Sequence, residues 1–416
     1  MSTASVVGGG PSGLVAAEVL ARAGVAVTVH ERMPSVGRKL LMAGHGGLNL
    51  THTEPREPFL ARYGGSAGRL APMIDAFGPE DLRAWCAGLG ELTFVGTSGR
   101  VFPEAFRATP LLRAWRARLA ELGVVVRTRQ RWTGWTDPPG SADGAVGLAF
   151  VEADGTRTEV ACDVAVLALG GASWPRLGSD GGWVGPFTER GVAVTPLRPA
   201  NTGVRVGWTE TFAARFAGTP LKHVALSVRG RDAPPVRGDA MVTTSGLEGG
   251  PVYASGVAIR EALDADGRCV LEVDLRPDVA VGRLADRLRQ RRPKDSASSW
   301  LRRSTGLDPV ATGLLREATG GTLPDDAAAT AALIKAVPVL VTGTMPLERA
   351  ISTAGGVAWS EVDDHLMLRR LPGSFVAGEM LDWEAPTGGY LLQASFSSGV
   401  AAAHGALAWL AGADPG

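Results

Sequence analysis

Short apolar runs punctuated by glycine set the opening of this chain. Val6-Val7 closes an apolar strand that enters Gly8-x-Gly10-x-x-Gly13, and Leu14-Val15-Ala16-Ala17 then opens a helix. After Gly24 a second apolar run, Val25 to Val29, ends in His30-Glu31. The pattern predicts a strand–helix–strand unit. Residues 70–122 read mostly helical, with Thr109 as an N-cap, Pro110 as the first helical residue, and Leu111, Leu112, Trp115 and Leu119 on one face. Gly123 ends that helix, and Val124–Val126 begins a strand leading to Trp132. A turn-rich break at 137–144 precedes a hairpin, Leu148–Val151 with Thr158–Val160, around Asp154-Gly155. The nearly continuous apolar run Asp163–Leu169 has the character of a strand buried on both faces.

From about Val194 the character changes. Residues 195–275 alternate short β-like runs (Thr202–Val206, His223–Val228) with Gly and Pro turns, which predicts an antiparallel or barrel-like insert. Residues 278–336 turn helical and polar. Ser374–Ala377 is again a buried strand, and a helix runs from Tyr390 towards Ala411. The expected class is α/β: a Rossmann-like domain with a mostly parallel sheet and helices, interrupted by a β-rich insert and a small helical segment. The boundaries are set at 1–194, 195–275, 276–345 and 346–416, with the insert capping the cofactor and forming the substrate pocket.

The Gly8-Gly10-Gly13 spacing carries chemistry. Gly8 allows the tight turn, Gly10 lets backbone approach a pyrophosphate, and Gly13 lets helix and strand pack closely. Pro11 and Ser12 open a helix whose free N–H groups favour phosphate. Glu31, at the end of the second strand, is placed to accept hydrogen bonds from ribose hydroxyls. A carboxylate there repels a 2′-phosphate, so the nucleotide is FAD or NAD rather than NADP. Beyond Glu31, Arg32, Arg38 and Lys39 precede the glycines Gly44, Gly46 and Gly47, a sequence suited to an anion-holding loop.

At 416 residues the chain exceeds one simple core, and its 42 basic and 42 acidic residues balance, so no global field favours nucleic acid. Cys86, Cys162 and Cys269 lie far apart, which argues against a dithiol relay or a zinc site. The N-terminus lacks a basic leader and its apolar stretch is broken by glycine, so neither signal peptide nor membrane span is read, and the expected location is cytoplasmic.

Several blocks resemble a known family, the aminoacetone-oxidase-like and BaiN-like three-domain bacterial FAD-dependent oxidoreductases. They are Gly37-Arg38-Lys39-Leu40-Leu41, Asn49-Leu50-Thr51, Gly99-Arg100-Val101-Phe102-Pro103, Gly170-Gly171-Ala172-Ser173-Trp174-Pro175, Thr353–Val357, Gly378-Glu379 with Asp382, and Pro386–Tyr390. Many relatives carry an Arg-Cys pair before Asn-Leu-Thr; Gly47-Leu48 stands here, which removes that thiol and marks a separate subgroup. The resemblance implies bound FAD. Its binding residues would include Leu40, Asn49, Gly170, Gly171 and Gly378, with Trp132 near the adenine. Glu379 or Asp382 would meet the ribityl chain. Gly389, Tyr390 and Leu391 would bring a helix N-terminus to the reduced flavin, with Gly389 keeping space for close approach.

The reading is an FAD-dependent oxidoreductase that moves a hydride between flavin N5 and a small organic substrate, by amine oxidation or by reduction of an activated C=C bond. NAD(P)H or O2 is the electron partner. Tyr390 and His45 rank level as acid–base candidates, with Arg176 behind them. Two readings of other classes stand beside it. One is a flavin-dependent reductase of RNA uridine, resting on the Arg-rich 283–303 segment; the other is a non-catalytic flavin-binding sensor.

Overall fold

The computed structural model describes residues 1–136, 145–292, 294 and 296–412. The break expected at 137–144 lies outside the described residues. Two compact units form: residues 1–198 with 352–416, and residues 199–351.

In the first unit, five parallel strands lie in the order Ser374–Val376, Val164–Leu167, Thr3–Val7, Ala26–Glu31, Val125–Thr128. Valine and alanine fill the central strands because both faces are covered, and Val6, Val29 and Val164 to Leu167 are fully buried. The turn after the first strand requires glycine twice. Gly8 has φ 109°, and a Cβ there would overlap the Ala168 carbonyl, while one on Gly13 would overlap the Gly8 carbonyl. Helix Pro11–Arg22 therefore starts hard against the sheet. Helix Tyr390–Leu410 crosses it so closely that a Cβ on Gly399 would overlap the Ser12 carbonyl.

Some details differ from the sequence reading. Residues 93–103 are not helical: Thr93–Val95 and Arg100–Pro103 join Thr51–His52 in a small antiparallel sheet. The following helix starts at Ala108 with Arg107 as its N-cap, so Thr109 lies inside the first turn. The run after Gly123 is two strands: Val125–Thr128 ends in the parallel sheet, Arg129 turns at φ 62°, and Gln130–Thr136 enters a second sheet with Val146–Glu152 and Arg157–Cys162.

The second unit is a closed six-stranded barrel, in the order Val204–Val206, Gly246–Glu248, Val236–Thr243, Pro220–Val228, Cys269–Asp274, Val337–Thr344. Val337–Thr344 closes it by pairing with Val204–Val206. Helices Val281–Leu288, Ala297–Thr305, Pro309–Ala318 and Ala327–Lys335 lie in sequence between the last two strands. The division set at 275 thus falls inside one compact unit, because the closing strand follows the helices. Part of the Arg-rich segment is satisfied internally: Arg289 pairs with Asp286, Arg291 lies over the Trp300 ring and Arg303 donates to the Gln290 carbonyl.

One buried carboxylate anchors the first unit. Glu18 is 3% exposed and accepts hydrogen bonds from Trp115 Nε1 (2.8 Å), Trp85 Nε1 (3.0 Å) and Arg118 (3.1 Å). Glu18→Ala removes the carboxylate from a half-buried guanidinium and two indole donors. It is expected to cost about 3–5 kcal/mol in denaturant unfolding. Arg22→Ala, which removes an exposed partner of the same carboxylate, should cost less than about 1 kcal/mol.

Candidate functional site

The carboxyl ends of the parallel strands converge on a polar crevice. Glu31 ends its strand buried, and its carboxylate accepts from the Gly9 N–H (2.9 Å) and the Met33 N–H (2.8 Å). Burial raises its pKa, against these two N–H groups. Gly170 (φ 70°) follows the Val164–Leu167 strand, and its carbonyl accepts from Trp183 Nε1 at 2.8 Å. Arg32 pairs with Asp180, which brings the 178–182 loop against Glu31 and Met33. Gly378 (φ 83°) ends the edge strand, and a Cβ there would overlap Ser12 Oγ.

Across this crevice runs an ion pair whose two members hold further partners. Lys39 Nζ donates to Glu379 Oε2 (2.7 Å) and to Ser173 Oγ (2.7 Å). Glu379 also accepts from the Thr353 N–H (3.0 Å) and the Gly171 N–H (3.3 Å). Thr353 Oγ1 in turn accepts from the Ala172 N–H at 2.9 Å. Four stretches thus meet on one carboxylate. Ser173 and Thr353 lie in two of the family-like blocks, but the sequence does not single them out as site residues, because contact across such sequence distances leaves no local pattern.

The remaining candidates divide. Arg38 opens helix Arg38–Ala43, with its Nε buried and without a protein partner. Asn49 Oδ1 and Ser179 Oγ are likewise buried, and none of the three atoms has a partner among the described residues. A Cβ on Gly10 or Gly46 would meet nothing within 4 Å, so open space lies beside both. Gly44 and Gly47 instead make room for protein, for Ala108 and the Phe106 ring. Leu40 is packed into the core. Trp132 is also core, edge-on to Trp135 and Phe187. The backbone beside the Glu31 end is that of Arg129, whose N–H donates to the Met33 carbonyl. Asp382 accepts from Thr195 Oγ1 at 2.7 Å and does not join the Glu379 cluster. Arg176 is exposed on the turn Pro175–Leu177.

Helix Tyr390–Leu410 has Gly389 as its N-cap, and its first internal bond runs from the Gln393 N–H to the Gly389 carbonyl. The N–H groups of Tyr390 and Leu391 thus belong to the unsatisfied first turn, at the positive end of the helix dipole. Gly389 (φ 100°) is required for a different reason than expected: a Cβ would sit 2.5 Å from the Thr51 main chain. Tyr390 donates its hydroxyl to Glu54 Oε2 at 2.7 Å, stacks on His52 and accepts from Tyr63 at its carbonyl. Burial, then the Glu54 carboxylate, holds its phenol far above the usual range, while the Arg62 hydrogen bond holds Glu54 low. This hydroxyl anchors the turn and is poorly suited to give up a proton. His45 lies on the single turn Gly44–Gly46, and its side chain falls outside the described residues. The three cysteines are buried and unpaired, and burial pushes the Cys86 thiol up to about 12.

FAD fits this arrangement. The orphaned Arg38, Asn49 and Ser179 atoms need polar partners, Gly10 leaves space at a helix N-terminus, and Glu31 sits where a ribose would pass.

The Lys39–Glu379 pair is partly shielded, so Lys39→Met leaves a carboxylate facing the cofactor without its cation. It should lower FAD retention after gel filtration by at least about tenfold, the scale of a charge-assisted hydrogen bond, with the apoprotein melting temperature little changed. Full retention would exclude the pair from the site.

His30 gives a separate pH signature. It is buried, its Nδ1 bonds Gln130 Oε1 at 2.8 Å, and its Nε2 has no partner. Burial lowers its pKa below 6.5 in the fold, so the unfolded chain binds more protons. The stability this contributes is complete above about pH 6.5 and is lost as pH falls towards the lower folded value. Apoprotein melting temperature should therefore fall below that pH, and His30→Leu should flatten the decline. A profile of unchanged slope in the variant would contradict it.

The family described as "HI0933-like protein Rossmann domain" matches residues 2–405. The 3-dehydro-bile acid delta(4,6)-reductase of Clostridium scindens is 27% identical, over 98% of this chain and 99% of that protein. In fold the chain is similar to a 3-ketosteroid delta1-dehydrogenase from Sterolibacterium denitrificans, crystallised with 1,4-androstadiene-3,17-dione (TM-score 0.54, 13% identity, 98% of this chain and 100% of that one). It is also similar to a flavocytochrome c3 fumarate reductase (TM-score 0.50, 17% identity, 98% and 79%). These comparisons lend no support to the RNA-acting or sensor readings. Among the described residues no helix is long and apolar enough to cross a membrane. The chain belongs to the HI0933-like Rossmann family and is an FAD-dependent oxidoreductase.

Proposed function

We propose that the protein reduces an activated C=C bond, one conjugated to a carbonyl, in a small organic molecule with an apolar body. The observation that carries this reading is the end-to-end similarity to a bile acid reductase. Bound FAD supplies hydride transfer at the isoalloxazine. The protein's own groups do the rest. The Gly8–Gly13 turn and the first turn of Pro11–Arg22 hold the pyrophosphate, and Glu31 accepts from the ribose. Lys39, fixed by Glu379 and Ser173, presents a cation beside the cofactor's polar chain. The first turn of Tyr390–Leu410, rigidly placed by Gly389 against Thr51 and by Tyr390 against Glu54, favours negative charge on a reduced ring system.

Saturating a C=C bond consumes a hydride and a proton, so the cycle needs an external two-electron donor, of the dihydronicotinamide class. Under anaerobic conditions NADH or NADPH should be oxidised only when an enone such as 4-androstene-3,17-dione is supplied, in a one-to-one ratio with product. In a parallel assay in air, where O2 can accept the two electrons, consumption of an amine with production of hydrogen peroxide, together with no enone-dependent nicotinamide oxidation, would assign the opposite direction of transfer.

A further inference from the structure

The small antiparallel sheet presents an unusual outer face. His52 pairs with Arg100 and Phe94 with Phe102. Opposed residues, and residues two apart, share a face. His52, Arg100, Phe102 and Phe94 therefore line one side, and Val101 on the other is fully buried. Phe106 adds a third ring, stacked 5.1 Å from Phe102 and 6.0 Å from Phe94 at interplanar angles of 24° and 18°. It does so from a left-handed backbone (φ 58°), a costly conformation for a bulky residue. Phe94 is 38% exposed and Phe106 44%. A contiguous exposed apolar patch rimmed by polar residues marks an interaction or ligand-binding surface.

Arg100, on the same face, is exposed, and its side chain makes no hydrogen bond or ion pair among the described residues. The face is bounded by stretches already placed at the cofactor. A Cβ on Gly47 would overlap the Phe106 ring, and one on Gly388 would lie 3.9 Å from Arg100 Nε. The platform thus runs from the Gly44–Thr51 loop to the turn that starts the Tyr390 helix.

We propose that this face is the substrate platform, and that its ligand is a flat ring system carrying a carboxylate. The rings of Phe94, Phe102 and Phe106 take the apolar body by stacking. The Arg100 guanidinium takes the carboxylate, whose two oxygens match its planar fork. His52, packed on Tyr390 and bonded to the Ser98 carbonyl, keeps the other end of the strand pair in place. The inference rests on the reductase reading of the same site and adds to it the substrate's shape and charge.

The test uses FAD-loaded protein titrated with 2-naphthoate and cinnamate and with their uncharged amides, read as perturbation of the flavin absorption band. Saturable perturbation is expected for the acids. Arg100→Gln should weaken the acids about tenfold and the amides much less, the loss of one charge-assisted contact. Phe94→Ser and Phe102→Ser should weaken acids and amides alike, and FAD content should stay at the wild-type level in all three. Flat titrations for every probe, or variants that bind as wild type, would overturn the proposal. Loss of naphthoate binding in Arg100→Gln with no enone turnover in wild type would uphold the platform while removing the reductase reading. Normal enone turnover with all variants indifferent would do the reverse.

Discussion

One carboxylate ties together the stretches that meet at the carboxyl ends of the parallel strands. Glu379 receives Lys39 from the stretch after strand Ala26–Glu31, the Gly171 N–H from the stretch after strand Val164–Leu167, and the Thr353 N–H from the return segment. None of these partners is near another in sequence, and close contacts hold the backbone at Gly171 and beside Glu379. Gly171 has no room for a Cβ against Thr353, and Gly378, just before Glu379, has none against Ser12. The carboxylate is thereby spent on positioning, and the group it leaves facing the crevice is a restrained cation.

Restraint of the same kind governs the helix that begins at Tyr390. Its positive end is useful only if it is aimed, and a helix start without a side-chain cap is free to fray. Gly389 against the Thr51 main chain and the Tyr390–Glu54–Arg62 network remove that freedom. A hydroxyl that looks like an acid when read from sequence is instead a fastening. Its raised pKa is a consequence of being buried against a carboxylate.

The frame was legible in the sequence wherever a rule is local. Gly8, Gly13 and Glu31 mark a turn with one mechanical solution, and the apolar runs before Gly170 and Gly378 can only be buried parallel strands. The barrel's strands were visible as short alternating runs, but its closing strand at 337–344 was separated from them by four helices, so the unit was cut at 275. Trp132 was misplaced because Arg129 turns the chain from one sheet into another, and a single left-handed residue has no compositional signal. The strands at 93–103 were lost among neighbouring helices for want of length. What no local rule reaches is the pairing of distant polar groups: Lys39 with Glu379, or an Arg100 left unpaired beside three stacked rings.

The central claim is that this crevice was built for a dinucleotide, gripped at its adenosine end by the glycine turn and Glu31. Calorimetric titration of the apoprotein with FAD and with FMN tests it directly, because FMN lacks the adenosine half that these residues address. The account predicts tight one-to-one binding of FAD, FMN weaker by orders of magnitude, and a Glu31→Ala variant that narrows the gap by losing affinity for FAD alone. Equal affinity for the two flavins, or a Glu31→Ala variant that binds FAD as wild type does, would contradict it.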